Sequence, residues 1–414
     1  MGIIPDQSPL LSFEDARHLV EAQASQITPG ETELVDLLNC GGRVLAEGVT
    51  ADHDFPPFRR AARDGYAVHA SDVAQPKAVL EVVAEVKAGA DLDQLPVIQQ
   101  GQAASIMTGA PTPADADVIV MVEYTSRQGD RVEINRPPDS GANIVAVGSE
   151  AKRGQQLLIP SLQLNHKAIA VAAAVGRTHM SVYKKPIVAI LSTGDEIVDV
   201  STSPGPSQVR NSNTYSLAAQ VVESGGMPLL LPIAPDEPVR LRELIAQGLE
   251  ADLLLLAGGV SLGKYDLVEQ VLSEFGAEFF FTGVKIQPGK PAVFGRVAYK
   301  NQTKYFFGLP GNPVSTMVTF TLFALPVLQA LSGQTPANLR FLHARLSSEM
   351  KTKRGLKRFL PGLLSGELEQ AEVKLAPWRG SGDIAAMVLS NCYIVIDPDR
   401  DHYSSGEWVP LLLR

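Results

Sequence analysis

The sequence predicts an α/β multidomain protein with a central doubly wound, largely parallel sheet and two β-rich domains. Two observations carry this prediction. From residue 186 to about residue 331, apolar strand patterns alternate with amphipathic helix patterns, which is typical of βαβ units whose sheet is covered on both faces. Before and after this stretch, short apolar runs are separated by Gly and Pro, which indicates small β domains. At 414 residues, the chain is long enough for roughly two to four domains with cores of their own.

The first predicted element is an amphipathic helix over residues 12–24. Phe13, Ala16 and Val20 recur at roughly helical spacing. Ser12 stands in the N-cap position and Asp15 in the acidic position of a capping box. The β-rich segment that follows, residues 51–150, contains the strand patterns AVLEVVAEV, ADVIVMVEY and RVEIN.

The central segment carries six strand patterns: PIVAIL, MPLLLPI, DLLLLA, AEFFFTGV, AVFG and KYFFGL. Helix patterns separate the first four: SNTYSLAAQVVES, DEPVRLRELIAQGLE and DLVEQVLSEF. After residue 337 the β pattern returns with NCYIVIDP and GEWVPLLL, which predicts a small C-terminal β domain.

Composition and charge narrow the function classes. A hydrophobic content of 45% with 20% charged residues is ordinary for a soluble globular protein, and a net charge of −9 disfavours nucleic acid as a partner. The N-terminal residues lack the pattern of a signal peptide, and no apolar run is expected to approach the length needed to span a bilayer. Cys40 and Cys392 have no metal-ligand spacing and indicate no disulfide framework. We therefore expect a cytoplasmic protein without a membrane partner.

The segment LLLLAGGVSLGKYD, residues 253–266, is the most informative local pattern. An apolar strand ends in paired glycines, and a short loop leads to a predicted helix N-terminus, which favours bound anions. Gly258, Gly263 and Lys264 nearly reproduce a P-loop, but Tyr265 stands where a P-loop has the Ser or Thr that holds Mg²⁺. The pattern therefore predicts an anion site that is not a P-loop.

Three further polar loops follow strand patterns: STGDE, QPGKP and GLPGNP. Because ligands bind at the carboxyl ends of strands in such sheets, we expect the four loops to surround one crevice. Together they would bring carboxylates, a lysine and free amides to a phosphorylated ligand with a divalent cation. The charged members are Asp195, Glu196, Asp266 and Lys290.

Taken together and in order, seven segments resemble the motif set of the molybdopterin molybdenumtransferases, a family that also includes the carboxy-terminal domain of gephyrin. The segments are DFPPFRRAARDGYAV, SIMTGAPTPADADVIVMVE, LSTGDEIV, GGVSLGKYD, VKIQPGKPAVFG, GLPGNPVS, and SNCYIVIDPDRD with GEWV.

The resemblance implies a domain organisation and an activity. It implies an elongated, discontinuous first domain (residues 1–50 and 151–185), a β-rich second domain (51–150), an α/β molybdopterin-binding domain (186–336) and a C-terminal β domain (337–414). Such enzymes insert molybdate into adenylylated molybdopterin and release AMP, assisted by Mg²⁺. The active form is expected to be a homodimer whose site is shared between subunits, and a contact with the molybdopterin adenylyltransferase is a further expectation.

The same resemblance assigns site residues by motif position. It places Glu196 and Asp266 at the metal and the phosphate, and Asp64 and Thr108 in the cleft from the other subunit, all four as catalytic residues. The expected substrate-binding residues are Asp195, Asp236, Gly258, Gly259, Ser261, Lys290, Pro310, Gly311, Asn312, Pro313 and Ser381.

Simpler interpretations remain open for several of these positions. Asp266 and Asp236 each precede a helix pattern and could be plain N-caps. Asp195 with Glu196 could be an ordinary acidic turn, and Asp64-Gly65 is a hairpin-turn signal. Lys290 could be a solvated loop residue. The basic cluster, defined as Lys351, Lys353, Arg354, Lys357 and Arg358, is either a solvated face or a phosphate- or pterin-facing patch.

The sequence also departs from the family pattern. Arg59, Arg60 and Arg63 precede Asp64, and their charges are expected to favour its ionised form. In GANIVAVGSE, Val145 and Ser149 replace the family's arginine and glutamate. In GLKRFLPG, Leu356 and Pro361 occupy arginine positions, so that Lys357 or Arg358 would have to substitute.

Two other functions stay open at this point. The related molybdopterin adenylyltransferase shares the central domain, but it is expected to read GGTG and to lack the flanking β domains. A non-catalytic molybdopterin-binding scaffold is the alternative from a different class. Retention of Glu196, Asp266 and Thr108 favours the enzyme.

Overall fold

The computed structural model describes residues 10–136, 138–259, 267–336 and 338–413. The chain divides into two compact units. Unit 1 comprises Met1–Glu47, Pro160–His166 and His179–Arg414, and unit 2 comprises Gly48–Ile159 and Lys167–Thr178.

Within the described residues, the α-helices are α1 Phe13–Ala24, α2 His166–Ala174, α3 Ser212–Glu223, α4 Pro238–Gly248, α5 Leu267–Glu274, α6 Pro313–Thr319, α7 Leu325–Leu331 and α8 Ile384–Leu389. A π-helical segment, Phe320–Ala324, joins α6 to α7.

The strands of the described residues follow in chain order: β1 Thr32–Asp36, β2 Val49–Thr50, β3 Arg60–Ala61, β4 Gly65–Val68, β5 Ala78–Val86, β6 Gln102–Ile106, β7 Val118–Met121, β8 Thr125–Gln128, β9 Arg131–Ile134, β10 Ile144–Val145, β11 Gln156–Leu158, β12 His179–Tyr183, β13 Ile187–Ser192, β14 Ile197–Val198, β15 Val209–Arg210, β16 Met227–Leu230, β17 Leu253–Ala257, β18 Glu278–Phe281, β19 Ile286–Gln287, β20 Val293–Tyr299, β21 Gln302–Leu309, β22 Phe341–Leu346, β23 Met350–Lys351, β24 Lys357–Ser365, β25 Glu372–Leu375, β26 Cys392–Ile396, β27 His402–Tyr403 and β28 Trp408–Leu413.

The central sheet of unit 1 has the strand order β16-β13-β17-β21-β20-β18. The pairs β13–β16, β13–β17 and β17–β21 are parallel, whereas β20 runs antiparallel to both of its neighbours. One face packs against α1, α3 and the 313–331 helix, and the other face packs against α4 and α5. All five residues of β17 are buried, as expected for a strand that is covered on both faces. The prediction of a doubly covered, largely parallel sheet is confirmed.

The N-terminal helix is built as the sequence predicts. The Ser12 hydroxyl accepts a hydrogen bond from the Asp15 backbone N–H at 3.0 Å, which satisfies one of the free donors of the first turn. Phe13, Ala16 and Val20 are buried against the sheet.

The same helix also supports the apolar helix at residues 313–331. Pro326 has no N–H to offer the carbonyl of Leu322 four residues earlier. The buried guanidinium of Arg17 donates to that carbonyl at 2.6 Å and so satisfies it. The π-helical segment lies directly before this proline, where the regular hydrogen-bond pattern is interrupted.

The 313–331 helix corrects one expectation about membranes. It has 19 residues and a mean hydropathy of 1.7, so by length and composition it could cross a bilayer. About 72% of it is buried inside the protein, however, and it supplies much of the core of unit 1. We therefore assign it as a core helix.

The last strands of unit 1 form a closed barrel. The sheet order is β19-β24-β25-β22-β28-β26, and β24 also pairs with β26, which closes the ring. β19 joins this barrel through a parallel pairing of Gln287 with Arg358. The β-rich fold predicted for the C-terminal residues is confirmed, and their bounds as a separate domain stay a prediction.

Unit 2 is built on a six-stranded sheet with the order β7-β4-β6-β5-β9-β8. Gly65, in β4, lies so close to the neighbouring strand that a Cβ would be 2.0 Å from the Val120 carbonyl oxygen. β3, which precedes it, pairs with β10 rather than with β4. The hairpin-turn interpretation of Asp64-Gly65 is therefore wrong, because this glycine is required by strand packing.

Candidate active site

Three strands of the central sheet end side by side. Ser192 of β13 lies opposite Ala257 of β17, which lies opposite Leu309 of β21. Because the three strands are parallel, the loops that follow them leave the sheet at the same edge. The predicted convergence of the STGDE, GG and PGNP segments is thus built into the register of the sheet.

The paired glycines allow the backbone at this edge to pack closely against the neighbouring loops. Gly258 and Gly259 have φ angles of +93° and +66°, which L side chains rarely adopt. A Cβ on Gly258 would lie 2.7 Å from the Thr193 carbonyl oxygen, and one on Gly259 would lie 2.4 Å from Thr193 Oγ1. Gly311 of the third loop lies against Gly258, since its Cβ would be 3.5 Å from the Gly258 Cα. The three loops therefore touch one another, and backbone lines the edge.

Three carboxylates gather beside these loops. The Asp236 backbone N–H donates to Asp195 Oδ1 at 3.1 Å. Partial burial, followed by the charges of Asp195 and Glu196, raises the pKa of Asp236 above its usual value. The Glu196 carboxylate folds back over Gly194, where a Cβ would lie 2.5 Å from Glu196 Oε2. This cluster of like charges favours a cation or a protonated ligand group nearby.

The structure tests the simpler interpretation that Asp236 is a plain N-cap. The N-cap of α4 is Glu237, and its side chain makes no capping hydrogen bond; Pro238 opens the helix. Asp236 is therefore not a plain N-cap.

Two buried polar atoms under the loops lack a partner. Within the described residues, the Thr193 hydroxyl makes no hydrogen bond and Asn213 Oδ1 accepts none, although both are buried. Asn213 Nδ2 donates to the Gly311 carbonyl at 2.7 Å and so fixes the third loop. Buried polar groups are normally satisfied, so these two atoms suit a bound ligand or water. Sequence reasoning singled out neither residue: Thr193 lies in the STGDE loop, where the acids drew the assignment, and Asn213 lies in a helix pattern without a charged or glycine-rich motif.

The PGNP segment ends β21 and begins α6. Pro313 occupies the first turn of the helix, where a missing N–H costs nothing. The Thr316 hydroxyl donates to the Pro310 carbonyl, and the Asn312 carbonyl accepts from the Thr316 N–H at 3.0 Å. These bonds hold Gly311 and Asn312 in an exposed turn at a helix N-terminus, a favourable place for an anion.

Ser381 lies beside the same helix start. Its backbone carbonyl accepts a hydrogen bond from the Val314 N–H at 3.0 Å. The loop that contains Ser381, GSGD at residues 380–383, also borders an open cavity of about 600 Å³, lined by Pro377, Arg379, Gly380, Gly382, Asp383, Ala385, Ala386 and Leu389. The structure therefore brings Ser381 of the last predicted domain next to the PGNP turn.

Lys290 lies in the connection from β18 to β20, which leaves the sheet at the same edge as the three loops. Gly289 has a φ of +108° and packs against α6, since its Cβ would lie 2.4 Å from Thr319 Cγ2. The Val284 N–H donates to the Lys290 carbonyl at 2.9 Å. The backbone at Lys290 is thus fixed, and its side chain is partly exposed.

Unit 2 contains the other predicted pair. The Thr108 backbone N–H and the Thr108 hydroxyl both donate to Asp64 Oδ1, at 2.6 and 2.8 Å. These two donors hold the pKa of Asp64 below its usual range. The expectation that arginines would favour the ionised form named the wrong cause: Arg59 donates to backbone carbonyls, and Arg60 pairs with Glu150.

Ser261 and Asp266 lie outside the residues that the structure describes, and their predicted roles stay predictions. In the described ranges, no group of three or more His, Cys, Asp or Glu side chains is arranged to hold a metal ion. Asp195, Glu196 and Asp236 are therefore close enough to influence one another without forming a complete protein cage. That arrangement fits Mg²⁺, which is usually held by one or two carboxylates together with waters and substrate phosphates.

Three family models match this chain. Residues 11–176 match the MoeA N-terminal region (domain I and II), residues 189–330 match a probable molybdopterin binding domain, and residues 343–413 match the MoeA C-terminal region (domain IV).

Relatives and solved structures agree with these models. The chain is 35% identical to the molybdopterin molybdenumtransferase of Nostoc sp., covering 98% of this chain and 94% of that protein. It is 32% identical to that of Bacillus subtilis, covering 93% and 90%. A molybdopterin biosynthesis moeA protein from Pyrococcus horikoshii OT3 has a TM-score of 0.77 at 27% identity, with 98% and 100% covered. By these matches along almost its whole length, the chain belongs to the molybdopterin molybdenumtransferase family.

Proposed function

We propose that this chain inserts molybdenum from molybdate into adenylylated molybdopterin and releases AMP. The observation that carries the proposal is the carboxyl edge of the central sheet, where closely packed glycine turns adjoin a cluster of carboxylates. Glycine turns admit the phosphates of an adenylylated substrate close to backbone N–H groups. The carboxylates place negative charge where a cation must be held.

The substrate phosphates would lie between the Gly258-Gly259 turn and the Gly311-Asn312 turn. Gly259 of the first turn and both residues of the second are exposed, and the second turn stands at a helix N-terminus, whose free N–H groups favour negative charge. Asn213 keeps the second turn in place, and the Thr193 hydroxyl is free to donate to a ligand oxygen. These residues bind and orient the phosphate anhydride that is cleaved.

Glu196 and Asp266 are the residues we infer to hold Mg²⁺, with Asp195 and Asp236 beside it. When bound, the metal would neutralise negative charge on the phosphate oxygens. The raised pKa of Asp236 supports a cation nearby, because a positive charge would relieve the repulsion among these carboxylates. Lys290 supplies a point charge for phosphate or molybdate from the neighbouring connection.

We further infer that the active form is a homodimer in which Asp64 and Thr108 of one subunit complete the cleft of the other. The Asp64–Thr108 pair is exposed and pre-organised, which suits a group that meets a substrate held elsewhere. β16, the edge strand of the central sheet, exposes Met227, Leu229 and Leu230, as an edge that pairs with a second chain would.

We place the enzyme in the cytoplasm, where the molybdopterin adenylyltransferase would be its partner.

The alternative that this chain is the adenylyltransferase is less well supported. That enzyme is expected to lack flanking domains, whereas matches to N-terminal and C-terminal MoeA regions flank the central domain here. A scaffold without catalysis stays an outcome of the test.

The first experiment measures AMP release from adenylylated molybdopterin with Mg²⁺ and either molybdate or tungstate, for the wild type and Glu196→Ala. Oxyanion- and metal-dependent release that is lost in the variant supports the proposal. A purified dimer that binds molybdopterin but releases no AMP with either oxyanion would favour the scaffold.

A further inference from the structure

The basic cluster of the C-terminal barrel contains one cation that is unlike the others. Lys351 pairs with Glu349, Arg354 pairs with Asp401, and Lys357 pairs with Glu14. The Lys357 ammonium also lies 5.2 Å from the centre of the Phe13 ring, so this lysine ties α1 to the barrel. Lys357 is therefore engaged at the contact between α1 and the barrel.

Arg358 is buried, with 7% of its surface exposed, and has no carboxylate within ion-pair distance in the described residues. Its Nε donates to Gln287 Oε1 at 2.8 Å. Its Nη1 donates to the carbonyls of Lys353 and Leu356, the latter at 3.1 Å. A buried cation without a counter-ion is costly, and such groups are kept where their hydrogen bonds fix a geometry.

The Gln287 contact stands at the start of the QPGKP segment. Gln287 is opposite Arg358 in the β19–β24 pair, and Lys290 follows three residues later. Gly289 is packed on Thr319, and the Ala292 N–H donates to the Gly289 carbonyl at 3.2 Å. The segment is thus held against α6 on one side and by the guanidinium of Arg358 on the other.

We propose that Arg358 is a positioning residue of the active site, which sets Lys290 by holding Gln287 from the barrel. This inference rests on the proposed function, in which Lys290 meets phosphate or molybdate. In this role, Arg358 links the C-terminal barrel to the QPGKP loop. The family pattern places its arginines at positions 356 and 361 and not at position 358. The planar guanidinium is suited to the task because it donates along fixed directions to three acceptors at once.

The first test is hydrogen exchange in the peptide that covers residues 284–292. Arg358→Gln and Gln287→Ala are each expected to speed exchange there about tenfold, since each removes one hydrogen bond that holds the segment. Gln287 is exposed, so Gln287→Ala tests the contact even if Arg358→Gln does not fold. Arg354→Gln is the matched control, because it removes an exposed arginine from the same cluster and should leave this peptide unchanged. Unchanged exchange in both variants overturns the inference.

The second test separates positioning from general support of the fold. Lys290→Gln should raise the KM for one substrate, adenylylated molybdopterin or molybdate, by about tenfold or more, as expected when a charged hydrogen bond is lost. Arg358→Gln should raise the same KM with little change in kcat, and the double variant should be no worse than Lys290→Gln alone. Effects that multiply, or a change in kcat alone, would overturn the link through Lys290. If the wild type releases no AMP, the proposed function fails, while the exchange experiment still decides the role of Arg358.

Discussion

The two acidic sites of this chain differ in how the protein satisfies their carboxylates. In unit 2, the Asp64 carboxylate accepts two hydrogen bonds from Thr108, and its pKa is lowered. In unit 1, Asp236 lies beside two other carboxylates, and desolvation together with their charges raises its pKa. The first site is satisfied by the protein, whereas the second retains unbalanced negative charge. That difference supports the cation proposed for the second site, and it can be tested by neutralising each acid in turn.

The largest expected effect is the loss of activity in Glu196→Gln. If Glu196 holds Mg²⁺ beside the phosphates, as proposed, its replacement should lower the rate of AMP release by about a hundredfold or more. The rate should be measured against Mg²⁺ concentration, with Glu223→Gln, an exposed acid at the end of α3, as the control for charge. A variant that keeps full activity and the wild-type Mg²⁺ dependence would remove Glu196 from the site.

The second effect concerns whether the two acidic sites act in one subunit or across two. If Asp64 serves the cleft of the partner subunit, a Glu196→Gln subunit paired with an Asp64→Ala subunit has one intact site. Random mixing gives heterodimers in half of the assemblies, so activity should recover to about a quarter of the wild type. Each single-variant homodimer is the control, and both should be close to inactive. No recovery after confirmed subunit exchange would contradict a shared site.

The third effect compares the glycines that adjoin the two sites. Gly259→Ala forces a side chain into a left-handed conformation and against Thr193, so it should cost about 2 kcal/mol or more of unfolding free energy. Gly109, next to Thr108, has a φ of +82° but open space around it, so Gly109→Ala should cost only about 1 kcal/mol. Chemical denaturation of both variants measures the difference. Equal costs would show that the contact with Thr193 relaxes easily.

Much of this architecture was predictable from sequence, because it follows local patterns. The alternation of strands and helices, the Ser12 cap and the strand-end position of the STGDE and PGNP loops all follow from spacing and composition. Contacts between distant segments were not predictable. Nothing near Asn213 in the chain indicates that it holds Gly311, and nothing near Arg17 indicates that it satisfies Leu322. The cause of the Asp64 pKa was missed for the same reason, since Thr108 is 44 residues away.

The smallest expected effect is on folding stability, and it tests the comparison most directly. The contributions of the two acids to stability should change in opposite directions as the pH changes. Asp64 has a lowered pKa, so its ionised form stabilises the fold above the ordinary value of 3.8, and this contribution is lost as pH falls. Asp236 has a raised pKa, so its contribution is present below 3.8 and is lost as pH rises through the folded value. At neutral pH and without metal, Asp64→Asn should therefore lower Tm slightly and Asp236→Asn should raise it. Both differences should shrink as pH approaches 3.8, and added Mg²⁺ should reduce the gain in Asp236→Asn alone. Shifts of the same sign in both variants would mean that the carboxylates of unit 1 are as well satisfied by the protein as Asp64 is.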